Sequence, residues 1–264
     1  MKRLILFFLI GLSLSAYTQG YYNAGEQRYV YADIANVRQY PTLDSEVVDK
    51  LKAGQEINIE DVGGADKVGE NEGFWINITY KIGDKVKSGF LWSNVLSYTQ
   101  MRRADTKFVY GKESGANDGK VKFQVKAIRN DEIIDKKSFD VPSGSLSFTE
   151  GKIIPDGSLK NVNYIVQLYF TGEACGYGNY HFHFGWSGNR FLELPYTVSV
   201  GDGGVYSYGE YLIYPTDSQL PEDTLLKVIA EGEAPDENSD IEFQYKTMMY
   251  KWDGEKITPI TINK

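Results

Sequence analysis

The chain has 264 residues, with 28 basic and 36 acidic side chains, a formal net charge of −8 and a single cysteine. An acidic chain gains little from counterion release at phosphates, which argues against nucleic acid and against anionic membrane surfaces as partners. One cysteine excludes an internal disulfide, and the 20 Tyr, 13 Phe and 27 Gly favour an all-β protein with aromatic cores.

The first residues have the pattern of a secretory signal peptide. Lys2 and Arg3 precede a largely apolar run from Leu4 to Leu14, and small or polar residues follow. The run is shorter than the roughly 20 residues that a membrane-spanning helix needs. We therefore expect residues 1–18 to be removed, leaving Gln19 first. The mature protein would be exported, periplasmic or extracellular, with no membrane insertion.

Short alternating segments fill the stretch from Tyr29 to Ser97. The segment Glu56 to Glu60 alternates strictly between polar and apolar residues, and residues 74–80 are rich in aromatic and β-branched side chains. Turn residues separate the segments, among them Pro41, which fixes φ, and Gly54, which can adopt a positive φ. Five or six short strands with such turns predict a small closed barrel over residues 28–99.

The order of these segments resembles that of a bacterial SH3 domain, a small barrel that exported bacterial proteins use as a binding module. The resemblance rests on Ala35 to Arg38, Tyr40 to Thr42, Val47 to Ile57, Gly73 to Ile78 and Ser88 to Leu96. It implies contact with a cell-wall peptide, another cell-wall component or an envelope protein.

The chain departs from that family at three places. Tyr40 stands where the family tends to have Gly, and Phe90 where it tends to have Trp. The acidic, glycine-rich segment from Asp61 to Gly73 replaces a tight turn, and its composition predicts a long mobile loop.

More aromatic side chains occur in this stretch than so small a barrel can bury. Such rings are favoured at recognition surfaces, because they offer apolar area together with a polar handle. Arg38 could add a bidentate contact to a ligand carboxylate. The candidate ligand-binding residues are Tyr31, Arg38, Tyr40, Trp75 and Trp92. Tyr40 lies in a turn, whereas Trp75 and Trp92 have burial in a core or between domains as the alternative.

Residues 104–264 form a second all-β domain by the same criteria. Lys120 to Ile128 alternates, and residues 163–174 align with residues 223–234, each ending in Gly-Glu-Ala. A tryptophan follows each copy, Trp186 and Trp252, and each precedes a glycine-containing turn typical of a hairpin. The pattern predicts a sandwich of two related halves, with a fragment of a β-propeller as the alternative.

Both histidines of the chain, His181 and His183, lie on one face of a predicted strand. Such a pair can fill two coordination positions on zinc or copper, with Cys175, Glu173 or a distant carboxylate as a third ligand. The alternative is a solvent-facing pair, with the neighbouring phenylalanines packed in the core on the opposite face.

Two further segments have weak chemical signals. Cys175 lacks the surroundings of the nucleophile in the cell-wall peptidases that carry bacterial SH3 modules, so we expect a buried, unreactive thiol. Asp236 to Glu242 resembles the start of a calcium loop, but Ile241 stands where the loop needs glycine and Thr247 where it needs glutamate. A solvated acidic turn is the alternative for this segment.

No catalytic motif stands out along the chain. The sequence therefore predicts an exported, non-enzymatic binding protein that needs no cofactor. A metal-dependent hydrolase built on His181 and His183 is one alternative, and a structural or assembly protein is the other.

Overall fold

The structure, a computed structural model, describes residues 22–69, 71–172, 174–217, 220–235 and 239–260. The predicted signal peptide, Glu173 and the first three residues of the calcium-loop candidate lie outside the described residues.

The described residues form nineteen β-strands and three short 3-10 turns, which confirms the all-β prediction. The strands are β1 Gln27–Tyr29, β2 Ile34–Arg38, β3 Val47–Lys52, β4 Glu56–Val68, β5 Asn71–Ile82, β6 Lys85–Trp92, β7 Met101–Arg103, β8 Thr106–Asn117, β9 Lys120–Arg129, β10 Glu132–Pro142, β11 Phe148–Ile154, β12 Tyr164–Thr171, β13 Asn179–Trp186, β14 Phe191–Glu193, β15 Thr197–Asp202, β16 Tyr206–Ile213, β17 Thr224–Glu233, β18 Glu242–Trp252 and β19 Ile257–Ile260. Within these ranges no helix has the length and apolarity that a membrane crossing requires.

The first six strands form one antiparallel sheet in the order β1-β4-β5-β6-β2-β3. It curls around a core that includes Val37, Leu51, Ile57, Ile76 and Leu91, all nearly inaccessible to solvent. The two edge strands, β1 and β3, are not paired with each other in the described ladders. We call this unit the curled sheet, because strand pairing does not close the barrel that the sequence predicts.

The segment from Asp61 to Gly73, expected to be a long loop, is instead the paired end of the β4–β5 hairpin. Ala65 pairs with Phe74 and Val68 with Asn71, and two register shifts near residue 62 bend the strand. Pairing between backbones needs no apolar side chains, so an acidic segment can form strands that its composition does not predict. A Cβ at Gly63 would lie 2.9 Å from the Trp75 carbonyl oxygen, so the glycine permits the close approach. We call residues 61–73 the hairpin arm.

The remaining strands form two sheets that pack face to face. The four-stranded sheet has the order β10-β9-β8-β7, and the nine-stranded sheet contains β11 to β19. Phe108 and Phe123 of the first meet Phe170 and Trp186 of the second in one aromatic core. This packing is that of a β-sandwich. Both repeat units lie in the nine-stranded sheet, and not in separate propeller blades.

The two repeat units have the same secondary structure. Trp186 ends the middle strand of the first unit and Trp252 ends that of the second, and both side chains are buried. Each is followed two residues later by a glycine at positive φ, 101° at Gly188 and 99° at Gly254. The hairpin turns predicted from the sequence are therefore present in both units.

The units differ in register and in the core that they enter. Tyr164 pairs with Trp186 in the first unit, whereas Thr224, its equivalent at an offset of 60 residues, pairs with Lys251 in the second. Trp186 belongs to the core between the sheets, and Trp252 belongs to a separate cluster with Leu225.

The curled sheet packs against the face of the four-stranded sheet that points away from the sandwich core. Tyr29 and Tyr31 of the curled sheet form a cluster there with Val109 and Ile128. Lys126 is 4% exposed at this interface and pairs with Asp33 at 2.7 Å. Its ammonium also donates to the Tyr31 carbonyl oxygen at 2.9 Å, so a buried cation links the two units.

Candidate functional site

Three of the five predicted ligand-binding residues lie on the outer face of the curled sheet. Trp75 and Trp92 are direct neighbours across β5 and β6, and their rings meet edge to face with centroids 5.4 Å apart. Asn77 pairs with Phe90 two residues further along, and Arg38 pairs with the same Phe90. Because ladder neighbours share a face, these side chains form one outer surface.

The hairpin arm covers part of this surface. Trp75 is only 6% exposed, and its indole Nε1 donates a hydrogen bond to Asp66 Oδ2 at 3.2 Å. Trp92 is half-buried. Trp75 therefore forms a wall rather than an open platform, and it is the hairpin arm, not a core or a second domain, that covers it.

Tyr40 is 60% exposed in the turn between β2 and β3. Its backbone N–H donates to Ser45 Oγ at 2.8 Å, and Arg38 Nη1 donates to the Ser45 carbonyl oxygen at 2.7 Å. Ser45 thus holds the turn, a role that the sequence pattern did not reveal. One guanidinium donor of Arg38 is occupied in this way, which leaves fewer for a ligand carboxylate.

Tyr31 lies in the interface between the curled sheet and the four-stranded sheet. The side chain is 6% exposed, and Lys126 Nζ lies 4.1 Å from the centroid of its ring. Burial raises the pKa of its phenol, with Glu113 and Asp33 adding to the effect. The structure therefore does not place Tyr31 on a ligand surface, because the second unit covers the face that the isolated stretch would expose.

A small groove of about 320 Å³ opens beside Trp75. Pro41, Trp75 and Phe90 supply its apolar walls, and Asp61 and Asp66 supply carboxylates. The groove connects the Tyr40 turn with the hairpin arm.

A larger cleft of about 570 Å³ lies on the other side of the hairpin arm, between the curled sheet and the sandwich. Phe74, Tyr98, Phe123 and Leu146 contribute apolar surface. Its charged lining residues are Asp66, Lys67, Glu72 and Lys112. Asp66 and Ala65 line both cavities, so the arm is the wall between them.

Lys112 is one of the charged residues that line the cleft. Partial burial lowers the pKa of its ammonium, and the Glu72 carboxylate acts in the opposite direction. The residue remains exposed, so its ammonium can pair with an anionic group in the cleft.

Ser93 fixes the floor of the cleft. Its Oγ accepts from the Phe74 N–H at 3.0 Å and donates to Asn94 Oδ1 at 3.1 Å. Asn94 Nδ2 in turn donates to the Glu72 carbonyl oxygen at 3.3 Å, and Tyr22 donates its hydroxyl to the Ser93 carbonyl oxygen at 3.2 Å. These bonds tie the hairpin arm to the turn after β6, so the cleft is preformed.

The two histidines do not form a solvent-facing pair. His183 is 5% exposed; its Nδ1 lies 3.1 Å from the Pro195 carbonyl oxygen and its Nε2 lies 2.7 Å from Gln167 Nε2. This geometry fits a neutral ring that donates from Nδ1 and accepts at Nε2. His181 is half-buried and lies against Tyr169, with ring centroids 4.5 Å apart.

The geometry of His183 bears on the metal prediction. Both of its ring nitrogens are hydrogen-bonded, so neither is free to coordinate an ion in this arrangement. In the described ranges no three or more His, Cys, Asp or Glu residues are grouped so that they could hold a metal ion.

Cys175 is exposed, not buried as expected. It lies in the connection between β12 and β13. The expectation was wrong because the sequence around the thiol is a surface loop rather than a core strand.

Comparison of the chain with protein-family models, with curated proteins and with solved structures finds no match.

Proposed function

We propose that the protein is an exported, non-enzymatic binding protein that holds a peptide-like ligand in the cleft beside the hairpin arm. In this proposal the curled sheet acts as a module similar to a bacterial SH3 domain. The observation that carries the proposal is a preformed cleft of about 570 Å³ that combines apolar rings with charges of both signs. Its size and mixed lining suit a small ligand with a few fixed polar groups.

A short peptide fits the chemistry of this lining. Phe74 and Tyr98 offer apolar contact to an aliphatic side chain. Lys112 offers a cation to a carboxylate, and Asp66 and Glu72 offer acceptors to an amine. Cell-wall stem peptides carry these three kinds of group close together, which favours them within the peptide class.

The positions of the cysteine and of the two histidines support binding over catalysis by these side chains. Cys175, His181 and His183 are not among the residues that line the cleft. His183 is locked by two hydrogen bonds within the nine-stranded sheet. A nucleophile and its base must lie within hydrogen-bond reach of each other and of the substrate.

We expect Lys112→Gln to weaken binding of a soluble cell-wall stem peptide about tenfold, since a charge-assisted hydrogen bond contributes about 1.5–3 kcal/mol. Calorimetric titration of the full chain measures the affinity, and co-sedimentation with purified peptidoglycan tests the polymer. The matched control is Lys122→Gln, an exposed lysine on β9 that is not part of the cleft lining. A thermal melt of each variant checks folding.

The same titration shows whether the ligand binds in the cleft or on the outer face of the curled sheet. Tyr40→Ala removes the most exposed of the predicted ligand residues and leaves the cleft intact. If this variant loses affinity while the Lys112→Gln variant binds as tightly as the wild type, the ligand site is the small groove and not the cleft. A wild-type chain that binds neither stem peptide nor peptidoglycan contradicts the proposed function.

A further inference from the structure

A second groove, of about 690 Å³, opens in the sandwich. One wall is the edge strand β10, including Phe139 and Asp140. The opposite wall comes from β13 and from the connection between β14 and β15, which includes Tyr196. None of its lining residues belongs to the cleft beside the hairpin arm.

A row of aromatic rings forms the apolar part of this groove. Phe139 lies 4.7 Å from Phe182, and Phe182 lies 5.6 Å from Tyr196, measured between ring centroids. Tyr180 stacks on Phe182 with an interplanar angle of 18°. Tyr196 ends the row and is 50% exposed, so part of the residue is accessible to a ligand.

A buried ion pair holds Tyr196 in place. Lys227 Nζ donates to the Tyr196 carbonyl oxygen at 3.2 Å and lies 5.5 Å from the centroid of its ring. The same ammonium pairs with Glu210 at 2.6 Å, and the two side chains are only 13% and 10% exposed. Glu210 also accepts from the Val198 N–H and from the Tyr208 hydroxyl.

These contacts tie the backbone at Tyr196 to the neighbouring strands β16 and β17. Burying an ion pair costs desolvation energy that its mutual attraction offsets only in part. Here the Lys227–Glu210 pair holds the backbone at Tyr196, whose exposed ring lines the second groove. A ring that is already immobile loses little entropy when a ligand stacks on it.

Polar groups at the rim complete the groove. Within the described part of the chain, Asp140 makes no hydrogen bond or ion pair through its side chain. Glu193 pairs with Lys137 through Oε1 at 2.9 Å, and Lys120 also lines the groove. The rim thus offers carboxylate acceptors together with an ammonium donor.

We propose that this groove binds a neutral pyranose oligosaccharide, with the ring of Tyr196 as the stacking platform. A pyranose ring has an apolar face of C–H groups that fits an open aromatic ring, and its edge carries hydroxyl groups that fit carboxylate acceptors. The carboxylates of Asp140 and Glu193 disfavour an acidic glycan by charge repulsion. This site is separate from the peptide cleft, so either can exist without the other.

Calorimetric titration of the full chain with cellotetraose, chitotetraose and maltotetraose tests the site, with tetragalacturonate as the acidic counterpart. We expect saturable binding of at least one neutral tetrasaccharide. Tyr196→Ala should weaken that binding about tenfold, the scale of one good aromatic contact. Tyr196→Phe keeps the ring and should stay within about threefold of the wild type, because the stacking face is retained.

Tyr211→Ala is the matched control, since Tyr211 is 59% exposed on β16 and lies outside the groove. It should bind as the wild type does. The proposal is overturned if no neutral tetrasaccharide binds, if tetragalacturonate binds more tightly than all of them, or if Tyr196→Ala retains wild-type affinity. Equal losses in Tyr196→Ala and Tyr211→Ala would also overturn it.

Discussion

Replacing either Trp186 or Trp252 by alanine is expected to lower the free energy of unfolding by about 3–5 kcal/mol, the usual cost of removing a large buried aromatic side chain. The two indoles are 0% and 1% exposed. Trp186 meets Phe108 and Phe191 edge to face, at centroid distances of 5.3 Å and 5.0 Å. Its loss would leave a cavity between the two sheets of the sandwich, where backbone pairing limits collapse.

The conservative change to phenylalanine should lower the free energy of unfolding by different amounts at the two tryptophans. Trp252 Nε1 donates to the Lys160 carbonyl oxygen at 2.8 Å. Trp186 Nε1 has no acceptor in the part of the chain that the structure describes. Trp252→Phe therefore loses a hydrogen bond that Trp186→Phe does not, and we expect it to cost about 1 kcal/mol more.

Equilibrium urea unfolding of the four variants measures these differences. Tyr245→Ala serves as the control, because Tyr245 is 71% exposed and its loss should change stability by no more than about 0.5 kcal/mol. If Trp186→Phe is destabilised as much as Trp252→Phe, the hydrogen bond to Lys160 is not what distinguishes the repeats.

Periodicity predicted the strands well and their environments less well. The alternation along β9 places Phe123, Val125 and Ala127 on one face, and that face lies in the sandwich core. The polar side chains Gln124 and Lys126 lie on the opposite face, yet they are only 7% and 4% exposed. The curled sheet covers that face, and a local pattern carries no information about an element that arrives from elsewhere in the chain.

The same limit explains the candidate sites. The hairpin arm is paired through its backbone, so its side chains gave the signal of a loop. The cleft beside it combines Phe74, Tyr98, Lys112 and Phe123, which no sequence spacing brings together. Tyr196 had no motif around it, and its support by Lys227 depends on strand register within the nine-stranded sheet.

Acid should destabilise this protein between about pH 6.5 and pH 4 chiefly through His183, and burial also lowers the pKa of the half-buried His181. Burial lowers the pKa of the His183 imidazole from 6.5 to about 4, although the hydrogen bond to Pro195 acts in the opposite direction. His181, Lys152 and Lys227 add positive charge nearby and lower the pKa further. The folded protein therefore holds this ring neutral under conditions where an unfolded chain would protonate it.

The sign of the effect follows from linkage. The stability due to neutral His183 is fully present above its unfolded pKa and is lost as the pH falls towards the folded value. A shift of this size corresponds to roughly 3 kcal/mol across the window. Carboxylates with lowered pKa values, such as Asp33 and Asp49, mainly add their losses at lower pH, since they start from 3.8.

His183→Gln should remove most of this pH dependence, whatever it does to stability at neutral pH, because glutamine does not titrate. Urea unfolding at several values between pH 7 and pH 4.5 gives the slope for each chain. The control is His181→Gln, in which the buried ring of His183 remains and most of the slope should persist, since only the contribution of the half-buried His181 is removed. If His183→Gln loses stability with falling pH as steeply as the wild type, the buried imidazole is not the acid-sensitive group. If it does not, the acid sensitivity resides in a histidine for which the sequence suggested either metal coordination or a solvent-facing position.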